Sequence, residues 1–114
     1  MPLERLVING IPGLWRVSRC DTFLSRALGQ LAATPAERQR VWLFRPCSAV
    51  HTLFPATPID VAFCDRHGHV IRIVAPLRER RWAVKRGAAS VWEFPPGVVA
   101  QLALRCGDRL STCA

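Results

Sequence analysis

The residues whose types could do chemistry concentrate between Pro46 and Val74, the densest mix of polar groups, turn residues and apolar alternation in the chain. Within it, His51, Thr52 and Asp60 form the first constellation. Pro55 and Pro58 lie between them; each removes a backbone donor and restricts its predecessor, so the connection is irregular and can bring the two ends together. A histidine beside a carboxylate is an acid–base pair, the carboxylate fixing the imidazole tautomer, and a hydrolase-like reaction would use His51 as base and Asp60 as its orienter. The structural alternative is that Asp60 and Thr52 satisfy backbone groups of the same irregular connection. No nucleophile elbow, phosphate-cradling glycine loop or paired-carboxylate spacing accompanies the pair. The preferred reading is therefore a small non-catalytic binding or accessory domain with a pocket near Pro46–Asp60, its partner a small ligand or a protein.

Two further constellations compete with it. Cys64, His67 and His69 read C-x-x-H-x-H, with Cys47 and His51 upstream, and two such pairs could close a tetrahedral zinc site. The same residues also read as the end of a hairpin, with His67 and His69 exposed at a turn and Cys64 buried, and on that reading no metal or other cofactor is assigned. Arg78, Arg80, Arg81, Lys85 and Arg86, interrupted by Glu79, could meet an acidic partner, a membrane surface or a nucleic-acid backbone. As a solvated loop they would do nothing specific. The formal net charge is +8, and arginine supplies all but one of the 16 basic residues. These are scattered along the whole chain, tyrosine is absent, and the aromatics lie in apolar contexts. That pattern gives little support to base stacking, so nucleic-acid binding through 78–86 stays an alternative only.

The elements that must position these groups are short. Leu6-Val7-Ile8 is a strand, Asn9-Gly10 a turn extended by Pro12-Gly13, and Leu14 to Val17 the return strand. Asp21 is an N-cap, and Phe23, Leu24, Ala27, Leu28 and Leu31 recur at helical spacing, predicting one helix over about 22–32. Thr34-Pro35-Ala36-Glu37 has the form of a capping box. Val41 to Phe44 is a buried strand that Pro46 ends, and Val50 to Leu53 a brief extended segment. Ile59 to Cys64 and His69 to Val74 form a hairpin about a tight turn at Asp65–Gly68. By period two, Ile59, Val61 and Phe63 share one face, and Ala62 and Cys64 the other. Ala75 to Arg86 is an exposed crossing, Ala88 to Phe94 a strand, Pro95-Pro96-Gly97 a rigid turn, Val98 to Leu104 a short helix or strand, and the last strand lies around Arg109-Leu110. The sum is mainly β: a small single-domain β-barrel or sandwich-like fold over 1–114, with one clear α-helix packed beside it.

Composition agrees with one globular domain. At 114 residues, half of them hydrophobic, the chain can bury a single core. No apolar run approaches the roughly 18–20 residues that span a bilayer. The N-terminus carries Glu4 and lacks a signal-peptide core, so a cytoplasmic protein is expected. The five cysteines are spaced without a C-x-x-C pair. Free buried thiols rather than a disulfide framework follow.

The order of motifs resembles the Domain of Unknown Function 192 family of small uncharacterised bacterial and archaeal proteins, over about Ser18 to Leu110. The pieces are Arg26-x-x-Gly29, Pro46-Cys47, Val50-His51-Thr52, Pro58-Ile59-Asp60-Val61, Phe63, Asp65 with Gly68 and Val70, Glu93, Pro96-Gly97, and Gly107-Asp108. The resemblance implies a compact β-barrel or sandwich-like domain with a helix beside it, and adds Arg26 and Glu93 to His51, Thr52 and Asp60 as binding residues. It implies no particular activity. Relatives often carry a methionine or a Met-Lys-Asn-Thr run where this chain has Phe54-Pro55-Ala56-Thr57, so a pocket lined there would differ.

Overall fold

A computed structural model describes residues 3–20, 40–45, 49–51, 58–77 and 82–114. Among these residues, nine strands and one short helix run in the order β1 (Glu4–Ile8), β2 (Ile11–Cys20), β3 (Val41–Phe44), β4 (Ala49–His51), β5 (Ile59–Cys64), β6 (Val70–Leu77), β7 (Trp82–Val84), β8 (Ser90–Phe94), α1 (Val98–Gln101) and β9 (Leu110–Cys113). Seven strands make one sheet in the order β6-β5-β8-β3-β2-β1-β9, and β4 pairs with β7 separately. The fold is mainly β, as the alternation of branched and aromatic residues in segments such as VWLF and SVWEF requires. The helix expected over about 22–32, with its capping residue and the Thr34 box, lies outside the described residues.

Each face of the sheet has its own apolar cluster. Val41, Leu43, Ala62, Cys64, Trp92 and Phe94 belong to one, joined by residues of β1, α1 and β9. Trp42, Phe44, Val61, Phe63 and Val91 belong to the other, with Ile59 packed against it. The period-two reading of Ile59–Cys64 therefore holds. We call the first face inner, because the sheet curls around it until its two edge strands approach. Backbone bonds from Val70 N to Asp108 O (2.8 Å), Leu110 N to Gly68 O (2.8 Å) and Gly107 N to Val70 O (2.8 Å) tie the start of β6 to the start of β9. The sheet is not closed into a barrel: beyond this tie, β6 and β9 do not pair among the described residues.

Local chemistry explains the turns. Asn9 and Gly10 have φ of 52° and 82°, the positive pair that a two-residue hairpin needs for its twist to match the strands. The turn stops there, and Pro12 and Gly13 already belong to β2. Gly68 has φ +86°, and a Cβ on it would sit 2.6 Å from Leu110 O, so glycine is required by both conformation and space. The exposed crossing expected after Ala75 is instead partly strand: β6 runs on to the buried Leu77, and β7 follows. Of the two options for 98–104, a helix over Val98–Gln101 forms.

Candidate functional site

Strand β5 carries an aspartate at its first end and another just past its last, and each anchors different chemistry. Asp60 is 2% exposed, and its Oδ2 accepts a hydrogen bond from the Val99 backbone N–H at 3.0 Å. The residue before α1, Gly97, has no side chain to cap the helix. Asp60 supplies from β5 the acceptor that a Ser or Asp at that position would have given, satisfying one orphan donor of the first turn. The structural reading of Asp60 thus has a named partner among the described residues, the first turn of α1.

The other expected binding residues divide around it. The β5–β8 register pairs Asp60 with Phe94 and Val61 with Glu93. Partners across a ladder share a face, so Asp60 projects to the inner side and Glu93 to the opposite side, beside Trp42. Glu93 is 4% exposed and engaged in an interaction of its own. His51 ends β4, its backbone opposite Trp82. Arg26 and Thr52 lie outside the described residues, as do Cys47, Arg78, Arg80 and Arg81.

At the far end of β5 the hairpin turn is held by Asp65, whose Oδ1 accepts from the backbone N–H of His67 (2.8 Å) and of His69 (3.0 Å). Partial desolvation pushes its pKa up, but the bonds from His69 and His67 outweigh that and hold it below the usual aspartate value. His67 and His69 are exposed while Cys64 is fully buried, the arrangement of the turn reading. Burial drives the Cys64 thiol up to about 12, the Asp65 charge adding to the effect and a bond with Ser90 opposing it, so this sulfur stays protonated and unreactive. Among the described residues, no three His, Cys, Asp or Glu side chains gather as a metal site.

Beside this turn lies a cleft of about 300 Å³ whose lining was not anticipated from the sequence: Arg19, Arg45, Arg66 and Arg109 surround a floor that includes Trp92 and Leu43. The register explains the floor. Arg19 pairs with Leu43, Leu43 with Trp92, and Trp92 with Ala62, one row across β2, β3, β8 and β5 on the inner face. β2 and β3 are parallel, and β5, antiparallel to β8 as β8 is to β3, runs the same way. Arg19, Arg45 and Arg66 accordingly sit at or just past the ends of three co-directional strands, and the curl of the sheet brings Arg109 to them. Arg19 is oriented by Glu4 Oε2 (Nε at 3.0 Å) and Thr112 Oγ1 (Nη2 at 2.8 Å). A bond with Thr112, together with Arg19, lowers the Glu4 pKa against partial desolvation. The signal in the sequence was an arginine at each strand end, visible only once strand direction is known.

The chain matches the family model DUF192, Uncharacterized ACR, over residues 6–112. It belongs to the DUF192 family. Two solved structures share the fold. A protein of unknown function from Novosphingobium aromaticivorans DSM 12444 is 19% identical, with TM-score 0.78 over 94% of this chain and 83% of that one. A candidate transcription regulator from Sinorhizobium meliloti 1021 is 20% identical, with TM-score 0.82 over 97% and 94%. No curated protein matches the chain. At these identities the likeness establishes the fold of this DUF192 domain. No helix among its described residues is long and apolar enough to cross a membrane.

Proposed function

We propose that this DUF192 domain is a small non-catalytic binding or accessory domain that holds a ligand in a recess of its inner face. The observation that carries the reading is the cleft between the ends of β2, β3 and β5, about 300 Å³ in volume, at the lower end of the roughly 300–1,000 Å³ range of small-molecule sites. Arg45 borders it; most of the Pro46–Asp60 segment, where the pocket was expected, lies outside the described residues. Asp60 supports a non-catalytic role for its end of β5, since its carboxylate already holds α1. The free thiols of Cys64, Cys106 and Cys113 fit a reducing, cytoplasmic setting.

Thermal unfolding against a panel of small metabolites tests this reading. A ligand at about a hundredfold its Kd adds about 2.7 kcal/mol of stability, and at least one such compound is expected. Turnover of generic ester or phosphoester substrates that vanishes in a folded His51→Ala variant would establish the enzyme reading instead.

A further inference from the structure

We propose that the cleft binds a small oxyanion, a phosphate- or carboxylate-bearing molecule, between the guanidinium groups of Arg45 and Arg109 and above Trp92. This rests on the binding-domain reading and names its ligand class. Four arginines line one recess, and among the described residues neither Arg45 nor Arg109 has a carboxylate within ion-pair reach. The acidic residue in the lining, Asp65, has Oδ1 committed to two backbone N–H groups of its turn. Arg19 is already held by Glu4 and Thr112; it contributes charge from a fixed position while Arg45 and Arg109 supply donors that no carboxylate of the described residues takes. A guanidinium fork matches a carboxylate or phosphate edge with two parallel bonds, which an ammonium cannot do.

The floor supplies an independent observation. Trp92 is 3% exposed, and among the described residues its Nε1–H is the buried side-chain polar atom left without a hydrogen-bond partner. Buried donors are paired in the large majority of cases, and an orphan in a native fold calls for an explanation. Indole N–H can only donate, so the missing partner is an acceptor. Trp92 lines the cleft, and a shift of its ring on binding would offer this N–H, now closed to solvent, to an anionic oxygen held by the arginines. The volume suits a compact anion. A nucleic-acid backbone would instead need an extended basic track with a stacking surface.

The test uses the full ¹⁵N-labelled chain titrated with inorganic pyrophosphate and, separately, with citrate, reading the indole N–H of Trp92 assigned through Trp92→Phe. The expected result is a saturable shift of that signal with at least one probe, the responding probe telling phosphate from carboxylate chemistry. Binding weakens at least tenfold in Arg45→Gln/Arg109→Gln. Arg16→Gln/Arg86→Gln removes equal charge from exposed positions outside the cleft and leaves the affinity within twofold. Trp92→Phe, which keeps an aromatic floor but lacks the donor, also weakens binding, as read on the amide signals of the cleft. No saturable shift at about 10 mM of either probe, tenfold above a millimolar Kd, overturns the proposal. So does equal weakening in both double variants, or a cleft response to duplex DNA with both probes inert. If anions are inert while a neutral compound shifts signals of the folded chain, the oxyanion assignment falls and the binding-domain reading stands.

Discussion

Asp60 and Asp65 lie five positions apart, at opposite ends of β5, and do similar work by different means. Asp60 is sealed in the inner core and holds one backbone N–H of α1, 39 residues away in sequence. Asp65 is half-buried and holds two N–H groups of its own turn. Around Asp60 the sequence is rich in polar and turn residues, yet the described side chains there are used for architecture. Around Asp65 lies the recess, and its arginines come from positions 19, 45, 66 and 109. At the polar-rich first end, Asp60 is spent on capping a helix. Convergence of dispersed residues marked where four cations line one recess.

The tie between the sheet edges is the point at which this contrast breaks most easily. Gly68→Ala places a Cβ against Leu110 O at a left-handed φ. Left-handed strain of about 1 kcal/mol plus overpacking of about 2 kcal/mol predicts a loss of about 3 kcal/mol. Urea unfolding with an unchanged m-value would check it. A loss below about 1 kcal/mol would mean that the edges separate at little cost.

At the other end of the strand the expected effect is somewhat smaller. Asp60→Ala leaves the Val99 N–H buried without an acceptor and is expected to cost about 2 kcal/mol, whereas Asp60→Asn keeps a carbonyl acceptor and costs less than half as much. Equal losses for the two would show that the charge of Asp60, and not its acceptor oxygen, is what the fold uses.

These positions show how far the fold was legible from sequence. The hairpin Ile59–Val74 and the strand Val41–Phe44 were readable because period-two alternation and turn residues are local signals. The second strand of the first hairpin was placed late because Pro12-Gly13 reads as turn, although an extended strand tolerates both residues here. Trp82–Val84 went unread because three residues carry too little pattern, and their partner, β4, lies more than thirty positions away. The candidate site was less legible still. Asp60 and Glu93 both looked like site residues, and only the register with β8 shows that they point to opposite faces. The cleft arginines looked like dispersed surface charge, since neither strand direction nor the curl of the sheet is written locally.

A smaller effect is expected with pH. The carboxyls of Asp65 and Asp108 both lie below their ordinary value of 3.8 in the folded protein. For Asp108 the bond from Asn9 is the main cause, with the Arg105 N–H adding to it. Depressed folded values mean the unfolded chain takes up protons first, so the stabilisation is complete above about pH 5 and is lost as pH falls through the folded values. Asp65→Asn retains an acceptor without the titration, so its unfolding midpoint should fall less steeply between about pH 5 and pH 3 than the wild type's. A parallel fall would place the acid sensitivity elsewhere.

The most direct measurement compares the two ends of β5 in one assay: the affinity of folded Asp60→Asn for whichever of pyrophosphate and citrate the wild type binds, against that of folded Arg45→Gln/Arg109→Gln, read on the Trp92 indole signal. The account predicts that Asp60→Asn binds within twofold of wild type while the arginine variant binds at least tenfold more weakly. Loss of affinity in Asp60→Asn with the arginine variant unaffected would contradict it and return the site to the first end of the strand.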